Sequence, residues 1–206
     1  MQRPLRPVRR LSQPGCQERK GLGEISHRSL ISNPESSPSP AVSPGFRDKA
    51  VSFVGPSNSG KTELICRLAD RFASQGLKVA VVKHSHKLHL GDDGKDTGRF
   101  RQAGAATVAL AAPGVLQITR SLPQDPPLAA VLAALPGDTD LILVEGYKSG
   151  SLPQIALVLS SRDPLPTYAH LIALVSREPL TAAVPTFLAH QVAEIAGFIK
   201  TYLGLA

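Results

Sequence analysis

The sequence contains no tryptophan, and phenylalanine and tyrosine together make up only 4% of its 206 residues. Hydrophobic residues still account for 42% of the chain, an ordinary value for a globular protein. The core is therefore expected to consist of valine, leucine, isoleucine and alanine. The length suits one α/β domain with a core of its own.

Cysteine is also scarce, with only Cys16 and Cys66 present and no paired spacing. This argues against a disulfide framework and indicates a reducing compartment, which we take to be the cytoplasm. Uninterrupted apolar runs of about 18 residues are missing, so no membrane span is expected. The net charge of +7 falls to +3 without residues 1–48, too little to predict nucleic-acid binding by the remainder.

Residues 1–48 are rich in proline, serine and arginine, and their apolar residues never group. Such a segment buries too little surface to offset chain entropy, which predicts a disordered extension. Two alternatives stay open: an arginine-rich organelle transit peptide, or a protein whose true start lies further along. The lack of an apolar segment excludes a secretory signal. The folded domain is predicted to span residues 49–206.

From Lys49 onward, apolar runs alternate with segments of helical periodicity. The runs KAVSFVG, LKVAVVKH, TDLILVEG, QIALVLS and LIALVS predict buried strands, and ATVALAA and GVLQIT predict a hairpin or two short strands. Helices are predicted in GKTELICRLADRFASQG, KDTGRFRQAGA, PPLAAVLAALPG and HQVAEIAGFIKTYLG. This alternation predicts a mainly parallel sheet with helices on both faces, a three-layer α/β/α domain.

The segment GPSNSGKT at residues 55–62 matches the Walker A pattern, with a strand before it and a helix after it. Its glycines let backbone N–H groups point at phosphate oxygens, and the helix adds its positive N-terminal end. Lys61 is expected to reach the β- and γ-phosphates, and the Thr62 hydroxyl to ligate Mg²⁺. We therefore predict a P-loop nucleotide-binding domain. The predicted nucleotide contacts are Gly55, Ser57, Asn58, Ser59, Gly60, Lys61, Thr62 and Glu63.

The metal of such a site needs a carboxylate at the end of a neighbouring strand. Asp140 opens the run DLILVEG and Glu145 closes it, so roughly 17 Å separates them at about 3.3 Å per residue. Ligands of parallel sheets gather at the carboxyl ends of strands, which favours Glu145. Asp96 is interpreted in two compatible ways: as the N-cap of a short helix, or as a Mg²⁺ ligand, direct or indirect.

Three blocks together, GPSNSGKTEL, VVKHSHKLHLGDDGKDTGRFRQAGA and DLILVEGYK, resemble the molybdopterin-guanine dinucleotide biosynthesis protein B (MobB) family over residues 49–200. The resemblance implies a SIMIBI-type P-loop fold, a GTP ligand with Mg²⁺, at most weak GTPase activity and a homodimer. It also implies an adapter role beside the molybdenum cofactor guanylyltransferase, with molybdopterin and molybdopterin-inserting proteins as further partners.

By resemblance, Asp96 and Glu145 complete the Mg²⁺ site with Thr62. Arg99, Arg101 and Lys148 would lie beside the nucleotide or a second anionic ligand. The chain departs from the family at several positions. It has Gly98 where the family often has a large residue, Phe100 where a polar residue is usual, and Ser176-Arg177 where Ser-Asp is frequent. The loop after Lys83-His84 is also poorer in acids.

His84, His86 and His89 crowd one predicted loop and could bind Zn²⁺ or Ni²⁺, although lysines flank them. The alternative is that they line the nucleotide cleft. Arg99 and Arg101 are two residues apart on a helix, so they cannot share one face. Either they form a solvated basic surface, or one of them binds a phosphate in a bidentate contact.

Two other functions compete with the GTP-binding adapter. The first is a P-loop enzyme of the dethiobiotin synthetase or small-molecule kinase type that uses Mg-ATP on a separate acceptor. The second is a metal-delivery GTPase that binds its cargo through the three histidines. The glycine loop by itself does not distinguish GTP from ATP, or catalysis from binding.

Overall fold

The structure, a computed structural model, describes Gly45 and residues 48–85, 87, 90–160 and 164–205. The disordered extension expected in residues 1–48 therefore lies outside the described residues, apart from Gly45 and Asp48. His86 and His89 of the predicted histidine group also lie outside them.

The apolar runs of the described residues form strands. They are β1 (Ala50–Val54), β2 (Val79–Lys83), β3 (Thr107–Ala112), β4 (Val115–Arg120), β5 (Leu141–Glu145), β6 (Gln154–Leu157), β7 (Leu171–Ser176) and β8 (Thr186–Leu188). Six of them make one sheet in the order β2–β5–β1–β6–β7–β8, and every neighbouring pair is parallel. Strand β1, which precedes the glycine-containing segment 55–62, thus lies inside the sheet with β5 on one side and β6 on the other.

The helices of the folded part are α1 (Lys61–Ser74), α2 (Asp96–Gln102), α3 (Leu128–Ala133) and α4 (Val192–Leu203). In α1 the apolar residues recur every three or four positions, so Leu64, Ile65, Leu68 and Phe72 share one buried face. This face holds α1 against the sheet.

Side chains alternate between the two faces of the sheet, and both faces are covered. On one face, Phe53 of β1 packs with Leu68 of α1 and Ile195 of α4. On the other face, Val144 of β5 packs with Leu132 of α3, and loop residues cover the region near β6 and β7. The predicted three-layer architecture around a parallel sheet is confirmed.

β3 and β4 form a separate antiparallel hairpin, in agreement with one of the two sequence interpretations. Leu116 and Ile118 project from the same face of β4 because they are two residues apart, and both are more than half exposed. Leu110 and Val115 elsewhere on the hairpin are also exposed. The hairpin therefore presents an apolar surface to solvent.

Two details differ from the sequence expectations. Strand β8 was not predicted, because three residues are too few to show a period-2 pattern. The N-cap of α2 is Lys95 rather than Asp96, and no side chain caps this helix. The N-cap interpretation of Asp96 is therefore wrong. Among the residues described, no helix is both long and apolar enough to span a membrane.

Candidate functional site

The loop of residues 55–62, called the glycine loop below, connects β1 to α1. A Cβ atom at Gly55 would lie 2.6 Å from the carbonyl oxygen of Leu157, and the φ angle of Gly55 is +139°. Only glycine suits this position, because the neighbouring strand β6 approaches so closely and the backbone is left-handed. Asn58 also has a positive φ, of 59°. The loop is therefore turned tightly at the carboxyl end of β1.

Lys61 begins α1 and folds back over the glycine loop. Its Nζ donates to the carbonyl oxygen of Pro56 at 2.5 Å and to that of Gly55 at 3.4 Å. Burial lowers the pKa of Lys61, the nearby carboxylate of Glu145 opposes this, and the charges of Lys148 and Lys83 lower the pKa further. The ammonium is thus partly desolvated and close to other cations, a setting that favours an anionic ligand.

The hydroxyl of Thr62 donates to Oε2 of Glu145 across 2.9 Å. Glu145 ends β5 and lies between Phe53 of β1 and Lys83 of β2 in the register of the sheet. Its side chain is only 14% exposed, and Lys83 Nζ lies 3.3 Å from the same carboxylate oxygen. A hydroxyl and a carboxylate side by side provide oxygen ligands of the kind that Mg²⁺ prefers.

Asp140 lies at the other end of β5 and has a different task. Its Oδ2 accepts the backbone N–H of Lys78 at 2.8 Å, where the chain enters β2. The contact connects two neighbouring parallel strands at their amino ends, far from the glycine loop. The structure thus separates the two acids of this strand, as the estimated length of the strand predicted.

A cavity of about 1000 Å³ opens in front of the glycine loop. Its walls are the glycine loop, the first turn of α1, the ends of β2 and β5, and residues 146–149. His84 lines it, and so do Lys148 and Lys83, so two further ammonium groups face the same space as Lys61. Sequence reasoning did not single out Lys83, although its position at the carboxyl end of a strand beside β5 was the available signal.

His84 contacts protein groups on the cavity wall. Its Nε2 lies 2.8 Å from Oδ2 of Asp125, and its ring centroid is 4.4 Å from that of Tyr147. The Tyr147 hydroxyl donates to the carbonyl oxygen of Pro126, and burial and then Asp125 raise its pKa. Within the described residues, no group of three or more His, Cys, Asp or Glu side chains is gathered as a metal site would require.

The three predicted site residues of α2 do not line this cavity. Arg101 donates to Asp92 Oδ1 at 2.7 Å in a largely buried ion pair, and Gly98 lets the two segments meet. A Cβ at Gly98 would lie 2.3 Å from the Asp92 carbonyl oxygen. Asp96 and Arg99 are exposed and lie 3.5 Å apart, facing each other. The structure brings together the glycine loop, Glu145 and Lys148, and leaves these three residues elsewhere.

A second cavity, of about 280 Å³, lies on the other side of the glycine loop. Leu157 at the end of β6 and Arg177 directly after β7 belong to its wall, together with His190. Glu63 of α1 lines both cavities.

Comparison with known proteins agrees with this architecture. The family model "Molybdopterin guanine dinucleotide synthesis protein B" matches residues 50–177. The chain is 31% identical over 159 residues to the molybdopterin-guanine dinucleotide biosynthesis adapter protein of Haemophilus influenzae, covering 74% of this chain and 88% of that one. The chain is 29% identical over 161 residues to the molybdopterin-guanine dinucleotide biosynthesis adapter protein of Escherichia coli, covering 74% of this chain and 92% of that one.

Solved structures are similar as well. A MobB protein homolog from Bacillus stearothermophilus superposes with a TM-score of 0.61 at 29% identity, over 76% of this chain and 99% of that one. MobB of Bacillus subtilis superposes with a TM-score of 0.63 at 28% identity, over 75% of this chain and 97% of that one. The family match covers more than half of the chain, and the solved neighbours share its fold. The chain therefore belongs to the molybdopterin guanine dinucleotide synthesis protein B (MobB) family.

Proposed function

We propose that this protein binds Mg-GTP at the glycine loop and acts as an adapter beside the guanylyltransferase that joins GMP to molybdopterin. Its family places it in the biosynthesis of molybdopterin guanine dinucleotide. The contact between Thr62 and Glu145 carries the nucleotide part of the proposal. It puts a hydroxyl and a carboxylate at 2.9 Å beside a lysine that is folded over a glycine-bracketed turn.

In this proposal, Thr62 and Glu145 hold Mg²⁺, which would neutralise phosphate charge when bound. Lys61 exchanges its carbonyl contacts for phosphate oxygens, because a charge-assisted hydrogen bond is stronger than a bond to a neutral acceptor. Backbone N–H groups of the glycine loop and the start of α1 supply the remaining donors. Lys83 stays near as a further positive charge.

Hydrolysis is expected to be slow. No arginine is among the described residues that line the large cavity, so no guanidinium faces the position of a transferring phosphoryl group. Such an arginine accounts for much of the rate in efficient GTPases. The protein acts by holding the nucleotide, and a partner would have to complete any catalytic site.

The large cavity has room for a second anionic ligand beside the triphosphate. Lys148 faces this space, and we assign it to the phosphate of molybdopterin. Arg99 is exposed on α2 and is retained as a contact for a partner, whereas Arg101 is engaged with Asp92. The adapter would thus bring a pterin and a guanine nucleotide to the guanylyltransferase and then to molybdopterin-inserting proteins.

We further propose that two copies form a homodimer through the hairpin of β3 and β4. An isolated hairpin with apolar residues on its surface is poorly stable in water, and a second copy would bury them. We place the protein in the cytoplasm, in keeping with cysteines that show no paired spacing.

Titration calorimetry with Mg-GTP tests the nucleotide site. Lys61→Ala should weaken binding by about 10- to 100-fold, the value of a charge-assisted contact. Lys78→Ala is the matched control, since this exposed lysine pairs with Asp138 away from the glycine loop. Unchanged affinity in Lys61→Ala would refute the site. Rapid phosphate release from ATP that depends on an acceptor would instead favour the kinase or synthetase alternative.

A further inference from the structure

The second cavity lies where a nucleotide held at the glycine loop would continue. It shares Gly60 and Glu63 with the large cavity, and it is located at the carboxyl ends of β6 and β7. Ligands of open parallel sheets bind at these ends of the strands. The two cavities therefore meet at the glycine loop.

The floor of the second cavity is apolar and its rim is charged. Leu64 and Leu157 are both 3% exposed and form the floor with Ala189. Apolar lining residues accept an aromatic ring, whereas polar groups beside them orient it. A cavity of about 280 Å³ suits a purine better than a larger group.

The polar rim is dominated by donors. Arg67 Nε already donates to Glu63 Oε1 at 2.7 Å, so this guanidinium and carboxylate satisfy each other. None of the ion pairs of the described residues involves Arg177, whose side chain is exposed at the opening. A guanidinium has five N–H donors and no acceptor. Ser59 and His190 also line this cavity. Among its charged groups, Arg177 is the one outside the ion pairs of the described residues, and it is a pure donor.

We propose that this cavity receives the base of the nucleotide and that Arg177 selects 6-oxopurines through their O6 and N7 atoms. Guanine presents two acceptors along this edge. Adenine presents one acceptor and an amino donor, and a guanidinium cannot form a hydrogen bond with that donor because it is a donor itself. The same contact does not reach the 2-amino group of guanine. The protein should thus prefer GTP over ATP but hardly distinguish GTP from ITP, which lacks that amino group. The inference rests on the proposed nucleotide site.

Competition binding with Mg-GTP, Mg-ITP and Mg-ATP on the full chain tests this assignment. For the unmodified protein, GTP and ITP should bind within about threefold of each other, and ATP about tenfold or more weaker, the discrimination expected of one bidentate contact. Arg177→Ala should reduce the affinity for GTP and ITP to that for ATP while leaving ATP itself within about twofold. Arg71→Ala, an exposed arginine further along α1, is the control.

A gain of function provides an independent test. Arg177→Glu replaces the donor by a carboxylate, which the O6 and N7 acceptors of guanine repel but which accepts a hydrogen bond from the 6-amino group of adenine on the same edge. This variant should prefer ATP over GTP and ITP, the reverse of the unmodified protein. Both substitutions change an exposed side chain, so neither should prevent folding.

Three results would overturn the assignment. Equal affinity for GTP, ITP and ATP, with binding still dependent on Lys61, would refute base selection and leave the phosphate site intact. An equal loss of affinity for all three nucleotides in Arg177→Ala would mean that Arg177 stacks on the base or attracts the phosphates and does not select the base. A strong preference of the unmodified protein for GTP over ITP that disappears in Glu63→Gln would assign the selection to Glu63. Absence of any triphosphate binding would instead refute the proposed function.

Discussion

Glu145 ends β5 and Asp140 directly precedes that strand, and their surroundings give them different tasks. Glu145 accepts a hydrogen bond from Thr62 at the carboxyl end of β5, and Asp140 accepts a backbone N–H from Lys78 at the amino end. The rise of a strand per residue was enough to predict that the two acids cannot act together. It could not reveal that Lys83 would share the Glu145 carboxylate, because that contact depends on the pairing of β2 with β5.

The pair of acids leads to a prediction about magnesium. Glu145→Gln keeps the size of the side chain but removes its charge, so Mg²⁺ should improve nucleotide affinity about tenfold less than it does in the unmodified protein. Titration calorimetry with and without Mg²⁺ measures this. Asp140→Asn should leave the magnesium effect unchanged and lower only thermal stability. An equal loss of the magnesium effect in both variants would contradict the assignment.

At the scale of elements, α2 packs against the preceding segment around Asp92. It contributes no side chain to either cavity around the glycine loop. Arg101 reaches back to Asp92, and Gly98 allows the helix backbone to approach the Asp92 carbonyl. The family resemblance implied a ligand-binding role for Arg101, and the sequence left open whether Arg99 and Arg101 form a solvated basic surface or one of them binds a phosphate. An ion pair between residues nine positions apart has no local periodicity by which it could be recognised.

This arrangement predicts a structural role for Arg101. Arg101→Ala leaves the Asp92 carboxylate largely buried without its partner, so the free energy of unfolding should fall by about 1–3 kcal/mol. Nucleotide affinity should change little. Chemical denaturation and calorimetry measure the two effects. Arg99→Ala is the matched control, since Arg99 is 75% exposed and should be nearly neutral. Weakened nucleotide binding with unchanged stability in Arg101→Ala would restore the ligand role.

Most elements of the fold could be predicted, and the three-residue strand β8 could not. The apolar face of α1 and the buried runs of β1 and β5 each extend over enough residues to show their period. The three residues of β8 pair with β7 because the chain returns beside it, a relation that no local pattern encodes. The same limit applies to the second cavity. Its wall combines α1, β6 and the segment after β7, which are far apart in the sequence.

At the scale of the whole molecule, the hairpin of β3 and β4 is the surface best suited to a second copy. Leu116→Lys together with Ile118→Lys should convert a dimer into a monomer, because two charges cannot be buried in an apolar contact without a large desolvation cost. Light scattering after size-exclusion chromatography measures the mass. Leu165→Lys changes an exposed leucine outside the hairpin and should leave the mass unaltered. A dimer that survives the double substitution would exclude the hairpin as the interface.

Glu63 belongs to the walls of both cavities while its carboxylate accepts the Arg67 guanidinium. Any ligand that draws Glu63 away from Arg67 therefore alters the electrostatic environment on both sides of the glycine loop at once. One side chain in the first turn of α1 therefore connects the charge of one cavity to that of the other.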